Sequence, residues 1–130
     1  MEMFINGQFV PASDGKTQQV INPANGMVVD TVPCATREDV TRAIDGAVEA
    51  QKQWAKIPLR ERCKMLRKFA ALVLERRLEL GALLTSETGK PYMAEAVWEF
   101  DSVAYVFECA CDIAMHHYGK TLPIATEPGY

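Results

Sequence analysis

The apolar spacing of the chain changes at Thr36, from a period of two to a period of about 3.6, and this switch divides the fold into a strand-rich start and a helical remainder. Before the switch, short β-prone runs alternate with residues that turn a backbone sharply. Phe4-Ile5 and Phe9-Val10 flank Asn6-Gly7, a two-residue hairpin signal because both turn positions tolerate positive φ. Ser13-Asp14-Gly15 supplies the next turn. Gln19-Val20-Ile21 then leads into the loop Asn22-Pro23-Ala24-Asn25-Gly26, after which Met27-Val28-Val29 and Thr31-Val32 alternate with Asp30 and Pro33. Two hairpins in series over residues 1–33 are the simplest reading.

Beyond the switch, Val40, Ala43, Ile44, Ala47, Gln51 and Trp54 fall on one face and predict an amphipathic helix. The Thr36 hydroxyl can cap it, and Glu38 and Asp39 sit in the first turn, where the helix dipole favours negative charge. Ile57-Pro58 marks a boundary. Cys63, Leu66, Ala70, Val73 and Arg77 form a second stripe, opposite Arg60, Lys64, Arg67 and Lys68. A third helical run, Leu78 to Ser86, stops at Gly89, a residue suited to the left-handed position that closes a helix. Pro91 restarts the pattern, and this last helix is expected to run to Tyr118 with Gly119 as its terminator. Helices therefore occupy 36–118, and Thr121-Leu122-Pro123-Ile124 begins an extended segment within 120–130. At 130 residues the chain is one domain's worth of sequence at most.

A hydrophobic share of 48% with 24% charged residues is the ordinary globular balance and argues against intrinsic disorder. The net charge of -3 argues weakly against a nucleic-acid partner. The longest unbroken apolar stretch, Phe69 to Leu74, is far short of the roughly 20 residues needed to cross a bilayer, and Met1-Glu2-Met3 is not the cationic start of an export signal. The expectation is a soluble, cytoplasmic protein with no membrane partner. Cys34, Cys63, Cys109 and Cys111 then read as reduced thiols rather than a disulfide framework.

The candidate chemistry is incomplete wherever it is sought. Nine of the 14 basic residues lie between Lys52 and Arg77, but their spacing places them on the solvated side of an amphipathic helix, with no interleaved aromatic platform for bases. Cys109, Asp112 and His116 share one helical face and are ligand types a metal would accept. A single helix offers at most three such ligands, however, and the same residues interrupt an apolar stripe, which argues against a metal site; Cys109 and Cys111 read as buried small side chains. A thiol nucleophile lacks a base, because His116 and His117 are the only histidines and both close the same helix. The eight glycines form neither a dinucleotide fingerprint nor a phosphate loop. No complete active site can be read from these residues.

As an ordered set, the phrases carry more information. Phe4-Ile5-Asn6-Gly7-Gln8-Phe9-Val10, Val20-Ile21-Asn22-Pro23-Ala24-Asn25-Gly26 and Glu38-Asp39-Val40 are followed by Trp54, Pro58-Leu59-Arg60-Glu61-Arg62 and Leu66-Arg67-Lys68. Glu87-Thr88-Gly89-Lys90-Pro91 and Tyr118-Gly119-Lys120-Thr121-Leu122-Pro123 complete the series. In this order the chain resembles, over essentially its full length, the N-terminal segment of the NAD(P)-dependent aldehyde dehydrogenase superfamily.

The resemblance implies an α/β fold in which N-terminal antiparallel strands and amphipathic helices form part of the cofactor-binding domain, 1–130 being a single partial domain. It implies oxidation of an aldehyde to a carboxylic acid with NAD or NADP in the intact enzyme. A cysteine nucleophile forms a thiohemiacetal, a glutamate activates water, and an asparagine amide helps hold the oxyanion. None of those positions falls within 1–130, so no catalytic and no cofactor-binding residue is assigned, and this segment is expected to be inactive alone. The resemblance further implies a homo-oligomer, dimer or tetramer, with 120–130 starting an oligomerisation strand. It also implies a structural monovalent cation held by backbone carbonyls near Ile21 and by the Glu87 carboxylate; a solvated or helix-linked Glu87 is the competing reading. A stand-alone module that binds a protein partner or a full-length subunit through an exposed strand and helix face is the alternative function. A metal or nucleic-acid module built on Cys109 to His117 or Lys52 to Arg77 is a third.

Overall fold

A computed structural model describes residues 1–120, and the extended segment expected beyond Lys120 lies outside the described residues. Both expected hairpins form. Strands β1 (Met3–Ile5) and β2 (Gln8–Val10) pair antiparallel, with Met3 opposite Val10 and Ile5 opposite Gln8. The turn between them is Asn6-Gly7, with φ of 53° and 81°, the left-handed pair that matches the twist of the flanking strands. Strands β3 (Thr17–Ile21) and β4 (Val28–Pro33) form the second antiparallel pair, from Thr17 opposite Pro33 to Ile21 opposite Val28. A shift of register falls between Val20 and Ile21.

Helix α1 (Arg37–Trp54) starts on the cap expected at Thr36 and is followed by α2 (Leu59–Glu75) and α3 (Arg77–Thr88). Pro58 precedes α2, where the lack of an N–H costs nothing. Gly89 closes α3 with φ 77°. The last helix differs from expectation at both ends. Residues Tyr92–Ala96 form one π-helical turn before α4 (Val97–Met115), and α4 stops at Met115 rather than at Tyr118. The His116 N–H is shared between the Asp112 and Ile113 carbonyls, a tightened last turn that uses up the helix before Gly119 is reached.

The tight core lies between α2, α3 and α4. Cys63, Ala70 and Val73 of α2 and Ala104 and Cys111 of α4 are buried where these two helices pack, with Cys63 against Cys111, and Gly81 of α3 meets Val97. A Cβ on Gly81 would come within 2.9 Å of Val97 Cγ2, so α3 and α4 are close because position 81 has no side chain. The two stripes read from the sequence have different outcomes. That of α2 is buried at Cys63, Ala70 and Val73. That of α1 is not: Val40 is 48% and Ile44 56% exposed, and only Asp39 of this helix is buried. The periodicity marked a face that needs a partner, and the described residues do not provide one.

Candidate functional site

Three groupings concentrate polar or reactive side chains. The first is built on Asp39. Its carboxylate accepts the Thr36 N–H at 3.0 Å and hydroxyl at 2.9 Å, while the Thr36 Oγ1 accepts the Asp39 N–H at 3.2 Å, a reciprocal capping box. The same carboxylate accepts the Ser13 hydroxyl, the Ser13 N–H at 3.0 Å, and a guanidinium N–H of Arg42 at 2.9 Å. The Ser13 hydroxyl, the Ser13 N–H and the Thr36 N–H hold the Asp39 carboxyl well below the usual carboxylate range. Sequence placed Asp39 in a helix's first turn; the contact with Ser13, 26 residues away, went unread. The spacing of three from Thr36 to Asp39 was the available signal for half of it. This grouping pins the loop after β2 to the start of α1, and its oxygens have no capacity left for a substrate.

The second grouping contains the residues expected to hold a cation. Ile21 ends β3 at the register shift, and the loop after it is closed by the Asn22 N–H donating to the Met27 carbonyl at 2.8 Å. Glu87 lies half-buried in the last turn of α3. A Cβ on Gly89 would sit 2.9 Å from Pro23 Cγ, so the loop that follows Ile21 rests against the end of the helix that carries Glu87. The segments bearing the two expected ligands thus meet at one junction. A helix C-terminus offers carbonyl oxygens at the negative end of its dipole, and with a carboxylate these are hard donors of the kind a group I cation takes.

The third grouping is the region of the cysteines, where the ligand types on the face of Cys109 are committed to other contacts. Asp112 pairs with Arg67 at 2.6 Å, and His116 Nδ1 lies 2.7 Å from the Asp112 carbonyl. Among the described residues no three His, Cys, Asp or Glu side chains gather as a metal would require. Cys111 is buried against Cys63, and Cys109 is half-buried. Part of the basic run is likewise engaged in ion pairs: Lys52 with Glu49, Lys64 with Glu61, Arg67 with Asp112, Arg76 with Glu79, Arg77 with Asp101. In those pairs the positive charge is opposed locally. No helix among the described residues is long and apolar enough to cross a membrane.

Neither a nucleophile with a base nor a phosphate cradle is present in these groupings, and the fold is better defined than any reaction. Comparison with known proteins accounts for that. The model of the aldehyde dehydrogenase family matches residues 9–130. The chain is 41% identical over 127 residues to malonate-semialdehyde dehydrogenase of Halalkalibacterium halodurans, covering 97% of this chain and 26% of that protein. It is 39% identical over 113 residues to 3,6-anhydro-alpha-L-galactose dehydrogenase of Vibrio sp. strain EJY3, covering 87% of this chain and 23% of that protein. Among solved structures, the NADP-dependent glyceraldehyde-3-phosphate dehydrogenase of Bacillus halodurans C-125, complexed with NADP, superposes with a TM-score of 0.91 at 31% identity, over 98% of this chain and 27% of that one. The chain belongs to the aldehyde dehydrogenase family and corresponds to its N-terminal segment, spanning about a quarter of the length of the relatives it matches.

Proposed function

We propose that this chain is the N-terminal scaffold of an NAD(P)-dependent aldehyde dehydrogenase that oxidises an aldehyde to a carboxylic acid. The observation that carries the reading is the coincidence of a family match over 9–130 with no nucleotide loop and no nucleophile–base pair in the same residues. Residues 1–130 do not fit a nicotinamide cofactor, because no glycine-rich turn in them frees backbone N–H groups for a pyrophosphate. Hydride transfer is therefore assigned to the part of the enzyme outside these residues, and no step of it is derived from them. Their own contribution is to cover the cofactor domain: the exposed Val40, Ile44 and Val48 of α1 are an apolar face suited to packing on a sheet.

The junction of Ile21 and Glu87 is proposed to hold a monovalent cation through the Ile21 carbonyl and the Glu87 carboxylate, the cation serving to fix the loop against α3. The intact enzyme is proposed to be a cytoplasmic homo-oligomer, dimer or tetramer. The same exposed α1 face also favours the second reading, in which this segment docks on another protein or on a full-length subunit.

An assay of nicotinamide reduction separates the two. Residues 1–130 give no turnover with aldehydes and NAD or NADP, whereas the same residues joined to the complementary remainder of the H. halodurans relative give an active dehydrogenase. Turnover by residues 1–130 alone, or a folded but inert chimera, contradicts the scaffold reading.

A further inference from the structure

Cys63 and Cys111 lie opposite each other across the contact of α2 with α4, at 3% and 1% exposure. Each thiol is directed at the other residue's main chain: Cys63 Sγ is 3.9 Å from the Cys111 carbonyl oxygen, and Cys111 Sγ is 3.9 Å from the Cys63 carbonyl oxygen. Both side chains therefore occupy one gap, from opposite sides. Further along the same two helices Ala70 and Ala104 are at most 1% exposed, and Phe69 meets Phe107 edge-on with ring centroids 4.9 Å apart. The Arg67–Asp112 ion pair closes the gap on its outer side. Burial first, and the neighbouring Cys63 thiol second, raise the Cys111 pKa, which keeps the Cys111 sulfur a thiol at rest.

We propose that Cys63 and Cys111 are an oxidative modification site, a dithiol that closes into a disulfide between α2 and α4 when the protein meets a peroxide. Hydrogen peroxide is small enough to enter a briefly opened helix contact, where a bulky disulfide reagent is not. One sulfur, as thiolate, attacks the peroxide O–O bond and becomes a sulfenic acid, releasing one water once protonated. The second sulfur then displaces the hydroxyl from the first, forming the S–S bond and releasing a second water. Two thiols lose two electrons and two protons in all, and one peroxide is reduced to two waters. The product staples α2 to α4 through two residues 48 positions apart in sequence.

The test uses the full chain carrying C34S and C109S, which removes the two more accessible thiols. After treatment with hydrogen peroxide, mass spectrometry of the unreduced native protein is expected to show the loss of two hydrogens and a peptide cross-link joining Cys63 to Cys111. The unfolding midpoint rises, and dithiothreitol reverses both changes. Adding C63S or, independently, C111A abolishes the cross-link. Two free thiols persisting in the native protein under peroxide that oxidises the urea-unfolded chain would overturn the proposal. So would sulfinic or sulfonic acids at either position without a cross-link.

Discussion

The α2–α3–α4 unit is richer in apolar residues than the N-terminal unit of two hairpins plus α1, and the two are held by different forces. In the first, small residues let helices approach until Ala70 and Ala104 lose contact with solvent almost completely. In the second, α1 leaves Val40, Ile44 and Val48 about half exposed and is pinned at two points, by hydrogen bonds at one and by close packing at the other. One is the Asp39 carboxylate. The other is the Asn6 turn, which lies so close over Gly46 that any Cβ there would strike the Asn6 side chain. One unit carries its own core, while the other is held by polar and close-packed contacts at its edges and presents an apolar face.

If that contrast is correct, overpacking the helical core has the largest effect. Ala104→Phe is expected to cost about 3 kcal/mol, near the upper end for excess volume in a packed interior, measured by denaturant unfolding. Asp39→Ala comes next, lowering the thermal midpoint and loosening the loop at Ser13, seen as faster amide exchange there. Its pH dependence has a definite sign. A carboxyl lowered on folding stabilises fully above the unfolded aspartate value of about 3.9, and that contribution falls away as the pH drops from there toward the lower folded value. Asp39→Asn should therefore flatten the acid limb of the stability profile, and an unchanged acid limb would remove Asp39 from the account.

These positions also show what a sequence can and cannot reveal. The Asn6-Gly7 turn, the Thr36 cap and the Gly89 stop were legible because each is set by residues within four positions of one another. Ser13 meeting Asp39, Pro23 meeting Gly89 and Cys63 meeting Cys111 depend on how elements pack, and no local spacing encodes that. The stripe of α1 was read correctly as apolar, but its burial requires atoms outside the described residues. The π-helical turn at Tyr92–Ala96 left no mark that periodicity could detect. The segments bearing Ile21 and Glu87 are paired through family resemblance, and Pro23 against Gly89 brings those segments side by side.

Smaller effects sharpen the comparison. Gly89→Ala is expected to cost about 1 kcal/mol or slightly more, since φ there is positive and the new methyl meets Pro23. Arg67→Ala removes a pair whose partners are 49% and 66% exposed, and should lower the unfolding free energy from denaturant titration by less than about 1 kcal/mol, less still at high salt. Ile44→Ser should be the mildest in residues 1–130, within about 0.5 kcal/mol, because its side chain already faces solvent. In a complete dehydrogenase the same change should destabilise clearly more, and equal effects in both settings would mean that nothing packs on α1.

Titration calorimetry of residues 1–130 with NAD and with NADP addresses the assignment of catalysis to the remainder of the enzyme most directly. No saturable heat is the predicted result with either cofactor, and one-to-one binding of either would contradict a segment that covers the cofactor domain without contacting its ligand.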